Sequence, residues 1–174
     1  MTAHHRTLPA RRVLTRQGCL GFALLAAAWA VSWSRVRPWS DFGFFPLWLG
    51  YIITVDALVR RRRGRSLLQA GAARVVLVFG ISAAMWWLFE AINLRTDNWH
   101  YLRAAPVSTA RFVLESSIDF STVLPAVFET TALLHTWLPG GRGNPPGPRS
   151  LPGVLIGASL VAGVAAISLM LLQP

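Results

Sequence analysis

Asp56, Glu90, Glu115, Asp119 and Glu129 lie within or at the edges of long apolar runs, and they are five of only seven acidic residues in the chain. A charged carboxylate at the centre of a bilayer costs about 3 kcal/mol on insertion scales, so such a group faces a protein interior, pairs with a cation or keeps a proton. Glu115, Asp119, Thr122, Ala126, Glu129 and Leu133 advance by four, three, four, three and four, which puts three of these acids on one helix face. Pro125 lies one turn before Glu129 and has no N–H to give, so the Ser121 carbonyl four residues earlier loses its helical partner near the same level. Glu90 follows Trp86 and Trp87 by four and three positions and precedes Asn93 by three, so indole rings and an amide surround one carboxyl group. The chemistry that fits is acid–base work: Glu90 or Glu129 as proton donor, with Trp86 or Trp87 facing a developing cation. Asp119, Glu115 and His100 are secondary catalytic candidates, and Trp86, Trp87, Asn93 and Tyr101 are candidates for substrate contact. Against these stand structural readings: Glu90 bonded to Asn93 or an arginine, Asp56 paired with Arg60 at a helix end, and Glu129 in an interhelical hydrogen bond.

Other chemistries have less behind them. His100, Glu90 and Glu115 lack the spacing of a metal-binding motif, and no metal or cofactor is expected. There is no phosphate loop, nucleophile elbow or dinucleotide fingerprint. Cys19 is the only cysteine, which excludes an internal disulfide and leaves a small packing residue.

The elements that must position the acids follow from composition. Hydrophobic residues make up 53% of the 174 and charged residues 14%, against roughly 25% charged in soluble domains. The charges cluster between apolar blocks that have no polar face, a pattern suited to lipid. The expectation is an all-α, polytopic membrane helical bundle of about five transmembrane helices. The spans fall at 18–34, 42–59, 75–94, 118–138 and 153–172, behind a basic cytoplasmic tail at 1–17. Residues 18–174 then form one transmembrane domain. Each of the third and fourth blocks is about 20 residues long, which at 1.5 Å per residue matches a 30 Å hydrocarbon core. The first block could instead be a signal peptide, with Ala28, Trp29 and Ala30 resembling a cleavage site. Its continuation to a basic and aromatic edge at Arg35, Arg37 and Trp39 favours a retained span. Residues 139–152, with their glycines and prolines, read as a flexible loop. In the segment after residue 104, Pro106, Val107 and Ser108 look like a helix start.

All 17 basic residues are arginine, giving a net charge of +10. Their placement beside apolar runs argues for fixing topology and against a nucleic-acid partner. Counted by alternate segments, twelve fall on the side of the N-terminus and five on the other, which places the N-terminus in the cytoplasm. The localisation that follows is the inner (plasma) membrane, multi-pass. In the last block, Gly153 and Gly157 make a small-residue face suited to a homo- or hetero-oligomer.

Four blocks carry a resemblance: Phe45-Pro46-Leu47-Trp48-Leu49-Gly50-Tyr51, Trp86-Trp87-Leu88-Phe89-Glu90, Asn98-Trp99-His100-Tyr101 and Val123-Leu124-Pro125-Ala126-Val127-Phe128-Glu129. They resemble a group of uncharacterised bacterial multi-pass membrane proteins over about residues 42–134. The resemblance implies a membrane protein and no activity. A looser likeness is to the small membrane cyclases of carotenoid and terpene biosynthesis, whose intramembrane acids protonate an isoprenoid, although none of their motifs is matched residue for residue. The expectation for function is therefore acid–base chemistry on a lipid or isoprenoid at a polar cavity shared by Glu90 and Glu129 and opening outward. The alternatives are a non-catalytic subunit or assembly factor of a membrane complex and, third, a small proton-coupled transporter.

Overall fold

A computed structural model describes residues 15–101, 106–138, 161–165 and 168, and among them the only regular structure is helical. Five helices of more than one turn carry the fold: α1 (Arg16–Ser34), α2 (Phe44–Arg63), α3 (Ala72–Thr96), α4 (Thr109–Phe120) and α5 (Val123–His135), with short 3-10 turns at Trp39–Phe42 and Leu67–Gln69. The proline loop, the Gly153 and Gly157 face and nearly all of the basic tail lie outside the described residues; of the expected fifth span, 161–165 and 168 are helical.

Local chemistry sets the helix ends. The Thr15 hydroxyl accepts the Gly18 N–H to open α1, and the Ser108 hydroxyl accepts the Arg111 N–H to open α4 behind Pro106. Helix α2 runs to its fourth consecutive arginine and stops at Gly64, whose φ of 77° lets its N–H reach back to the Arg60 carbonyl at 2.7 Å.

Helices α1 and α2 form a close antiparallel hairpin, the largest interface in the molecule. The face of α1 turned inward is Gly18, Gly21, Leu25, Ala28 and Ser32, spaced three and four apart, with Gly18, Gly21 and Ala28 buried. A Cβ on Gly50 of α2 would stand 2.5 Å from the Leu25 backbone nitrogen, and one on Gly21 would stand 2.8 Å from that of Thr54. The two backbones touch, which only glycine allows.

Helix α5 lies along α2 in the same direction: Tyr51 and Thr130 share a hydrogen bond of 2.7 Å, and Arg62 donates to the Thr136 hydroxyl at 3.1 Å nearer the ends. Helix α3 runs opposite to α4 and α5, with Trp87 bonded to Ser117 and Ser82 set beside Phe120 and Leu124. Arg16, Arg60 to Arg63, Arg65 and Arg74 therefore gather at one end of the fold, the basic end. Trp99, Tyr101 and Phe112 gather at the other, the aromatic end.

The expected continuous helix over 118–138 is in fact two helices broken at Ser121 and Thr122. Pro125 supplies the reason on one side, because without its N–H the Ser121 carbonyl has no helical donor. Ser82 supplies it on the other: its buried hydroxyl donates to the Phe120 carbonyl at 2.6 Å and accepts the Leu124 N–H at 3.0 Å. One side chain of α3 thus takes up the backbone groups that the break sets loose.

Two helices, α1 and α3, are long and apolar enough to cross a membrane. In α3 only Ser82 is fully buried, and Val76, Leu77, Ile81, Leu88 and Leu94 are exposed. In α2 the apolar run is interrupted by Asp56 and ends in arginines, and α4 and α5 are each too short alone.

Candidate functional site

The expected cavity shared by Glu90 and Glu129 is not what the helices build. The two acids sit in separate clusters at opposite ends, each with its own partners.

At the aromatic end the site grows from Asn93. Its side-chain oxygen accepts the N–H groups of Asn98 and Trp99 at 2.9 and 3.1 Å, and its amide donates to the Trp99 carbonyl at 2.8 Å. Asn93 therefore folds the loop after α3 back over the last turns of that helix. This acts on position; nothing in it requires contact with a substrate. The folded loop delivers two donors to one oxygen of Glu90: Trp99 Nε1 at 3.2 Å and the Tyr101 hydroxyl at 2.5 Å. Trp86 Nε1 lies next to the same hydroxyl, outside hydrogen-bond geometry and buried without another partner. Of the expected site residues, the fold brings Trp86, Glu90 and Tyr101 together and keeps Glu129 apart. It adds Trp99, which the spacing along α3 could not reveal.

Tyr101 also lines an open cleft of about 750 Å³ together with Asn93, Trp99, His100, Val107 and Phe112. Its phenol, like the Trp99 ring, therefore touches both the cleft and Glu90, and of the two it is the group with an exchangeable hydroxyl. Partial burial and then the hydrogen bond to Glu90 push the ionisation of Tyr101 above the ordinary tyrosine value, so it stays a neutral phenol at neutral pH. His100 stands at the rim 3.6 Å from Asp97, both largely exposed and away from Glu90. Trp87 turns toward α4, where its N–H meets Ser117 and its ring packs on Phe112 and Phe120. Glu115 is held by Arg111 at 2.6 Å on the surface of α4, and Asp119 lies half-buried just before the break. Neither joins the Glu90 cluster.

At the basic end Asp56 and Glu129 face each other from α2 and α5, 0% and 2% exposed. The 3-10 turn Leu67–Gln69 lies across them. Glu129 Oε1 accepts the Leu67 N–H at 2.8 Å, Asp56 Oδ1 accepts the Leu68 N–H at 2.8 Å, and Gln17 of α1 donates to Asp56 Oδ2 at 3.2 Å. Arg63 is a charged neighbour of Glu129. Asp56 points inward to this clamp while Arg60, its expected partner, is exposed. Glu129 Oε2 has no hydrogen-bond partner among the described residues. The arrangement ties three helices and a linker together, and the sequence signal for it was a pair of leucines inside an otherwise polar, basic linker. No three potential metal ligands converge among the described residues.

No known protein family, no curated protein and no solved structure matches this chain.

Proposed function

We propose that the chain is a multi-pass plasma-membrane protein with a cytoplasmic N-terminus, whose aromatic-end cleft carries out acid–base chemistry on a lipid or isoprenoid. The observation that carries this reading is the Tyr101 hydroxyl, which forms part of the cleft wall and donates its hydrogen bond to Glu90.

The direction of that bond supports a relay. A substrate hydroxyl in the cleft passes its proton to the phenol oxygen while the phenol passes its own to Glu90, and no phenolate forms. The reverse relay returns the proton. Trp99 holds Glu90 in place from the other side, and the aromatic cleft wall suits an apolar chain with one polar end. The membrane setting is supported by α1 and α3, by the exposed Val76, Leu77, Ile81, Leu88 and Leu94 on α3, and by the crowding of arginine at one end. Tight seating of α1 on α2 through Gly21 and Gly50 supports a retained first span.

The experiment is a comparative lipid and isoprenoid profile of membranes from cells expressing wild type, Glu90→Gln or Tyr101→Phe at matched protein levels. A species altered by wild type and restored by either variant is expected, because loss of one relay member costs about 10²- to 10⁴-fold in rate. Identical profiles for wild type, both variants and cells lacking the gene would sink the reading.

A second reading is a non-catalytic subunit of a membrane complex. It is favoured by Gly80 on α3, where an added Cβ would meet no atom of the described residues within 4 Å and where another helix could approach closely. Extraction as a larger defined complex supports it, and a stable isolated monomer opposes it.

A further inference from the structure

The geometry points to a binding site for an anionic phospholipid headgroup at the basic end, centred on Arg62 and Trp137; this rests on the membrane reading above. Seven arginines of the described residues lie at this end, and the only acids there, Asp56 and Glu129, are buried and turned inward. Across the rest of the described chain four arginines accompany five acids, and two of those arginines have acidic partners in place: Arg37 with Asp41 and Arg111 with Glu115. Arg63 has the buried Glu129 as a charged neighbour, and the exposed Arg60, Arg62 and Arg65 present positive charge at an end where the described residues include no surface carboxylate.

Arg62 is preorganised while its side chain stays exposed. Its guanidinium donates to the Thr136 hydroxyl at 3.1 Å and stacks over the Trp137 ring at 5.5 Å from the centroid. A guanidinium has five donors in a fixed fork, so one bond to Thr136 leaves a bidentate edge for a phosphate. Trp137 is 60% exposed just beyond the end of α5, where an indole sits at the level of lipid headgroups. Arg60 and Arg65, both exposed, flank Arg62 on the same chain segment and add charge around it. Gly64 in the left-handed conformation turns the chain between Arg63 and Arg65, so the arginines surround the helix end rather than continuing along it. Ordinary topology determination would need only the number of arginines. A guanidinium held between a hydroxyl and an indole ring is built for a ligand of defined shape.

The test uses the full chain purified in detergent, with its thermal unfolding midpoint followed as phosphatidylglycerol, phosphatidylcholine or inorganic phosphate is added. Phosphatidylglycerol is expected to raise the midpoint saturably, while phosphatidylcholine and inorganic phosphate do not. Arg62→Gln should weaken the apparent affinity about fivefold, the effect of one basic residue at a charged membrane surface. If Arg62→Gln fails to fold, the Arg60→Gln/Arg65→Gln double variant takes its place, with a larger loss expected. Arg37→Gln at the other end should leave the affinity unchanged. Equal stabilisation by both lipids in a chain that still needs detergent overturns the site and leaves the membrane reading standing. Stabilisation by inorganic phosphate alone overturns the lipid assignment. A chain that stays soluble without detergent overturns the membrane reading itself.

Discussion

The two ends of this molecule use the same functional group for opposite purposes. At the basic end, the Asp56 and Glu129 carboxyls are sealed from solvent and committed to backbone N–H groups of a linker. At the aromatic end, the Glu90 carboxyl is half-buried, its partners are the side chains of Trp99 and Tyr101, and both line an open cleft. A carboxyl that satisfies main-chain donors holds structure, because those donors have nowhere else to go. A carboxyl that accepts from a phenol at a cleft wall can exchange protons with whatever enters. The apolar runs around all three acids are alike, so the partner atoms separate the roles and the degree of burial alone does not.

The sharpest way to break that contrast is at Glu129. Glu129→Leu strands the partly buried Leu67 N–H and leaves the buried Asp56 facing a leucine, an expected loss of about 3 kcal/mol in stability. Glu129→Gln keeps an acceptor oxygen for Leu67 and is expected to cost under about 1 kcal/mol. Unfolding midpoints in detergent, together with the rate of tryptic cleavage at Arg65, measure both. The leucine variant should unclamp the linker and expose that bond. A leucine variant as stable and as protease-resistant as wild type would mean that the basic-end pair is not structural.

Next in size is Ser82→Ala. It removes one hydroxyl but leaves two backbone groups, the Phe120 carbonyl and the Leu124 N–H, without their partner at the helix break. The expected cost is about 2 kcal/mol, more than a single hydrogen bond, because two backbone groups are stranded, one buried and one partly buried. Pairing the change with Pro125→Ala sharpens the point. If the proline causes the break, restoring an N–H at 125 lets α4 and α5 join and recovers part of the loss. Unfolding midpoints of the two single variants and the double variant give the coupling directly.

Much of this architecture is legible in the sequence, because helix limits depend on neighbours in the chain. Ser108 behind Pro106 starts α4, whereas the second apolar run ends at residue 59 and α2 continues through the arginines to Arg63, where Gly64 stops it. The Glu90, Trp86 and Tyr101 grouping was also legible, since α3 and its following loop are contiguous. What escaped depends on distant residues. Pro125 marked Ser121 as an orphan carbonyl, but only Ser82, more than thirty positions away, makes the orphan a full break in the helix. Asp56 appeared to belong to Arg60 because the two share a helix face; the linker that claims it returns from beyond the end of α2. Small-residue spacing points to the glycines of the last apolar block as a packing face, yet among the described residues close backbone approach occurs at Gly50 against Leu25 and at Gly21 against Thr54, single glycines on different helices. Helical spacing finds neighbours within an element and is blind to which elements meet.

The smallest expected effect falls at the aromatic end and concerns titration more than stability. The chain has two tyrosines, so Tyr51→Phe leaves Tyr101 as the only phenol, and its ionisation can be followed by ultraviolet absorbance. The midpoint is expected above 10, because burial and then the bond to Glu90 both disfavour the phenolate. Adding Glu90→Gln removes the carboxylate and should bring the midpoint back toward 10, with a small change in the unfolding midpoint at neutral pH. The sign of the linkage follows: a group whose folded value lies above its unfolded value contributes stability that is complete below the unfolded value and disappears as pH rises through the folded one. The stabilising effect of the Tyr101–Glu90 contact should therefore be flat through neutrality and fade only in strong alkali. If Glu90→Gln leaves the phenol's midpoint where it was, the two groups are not coupled and the proton relay loses its second member. If instead Glu90→Gln destabilises the fold as much as Glu129→Leu, the aromatic end is a clamp like the basic one, and the contrast between the two ends fails.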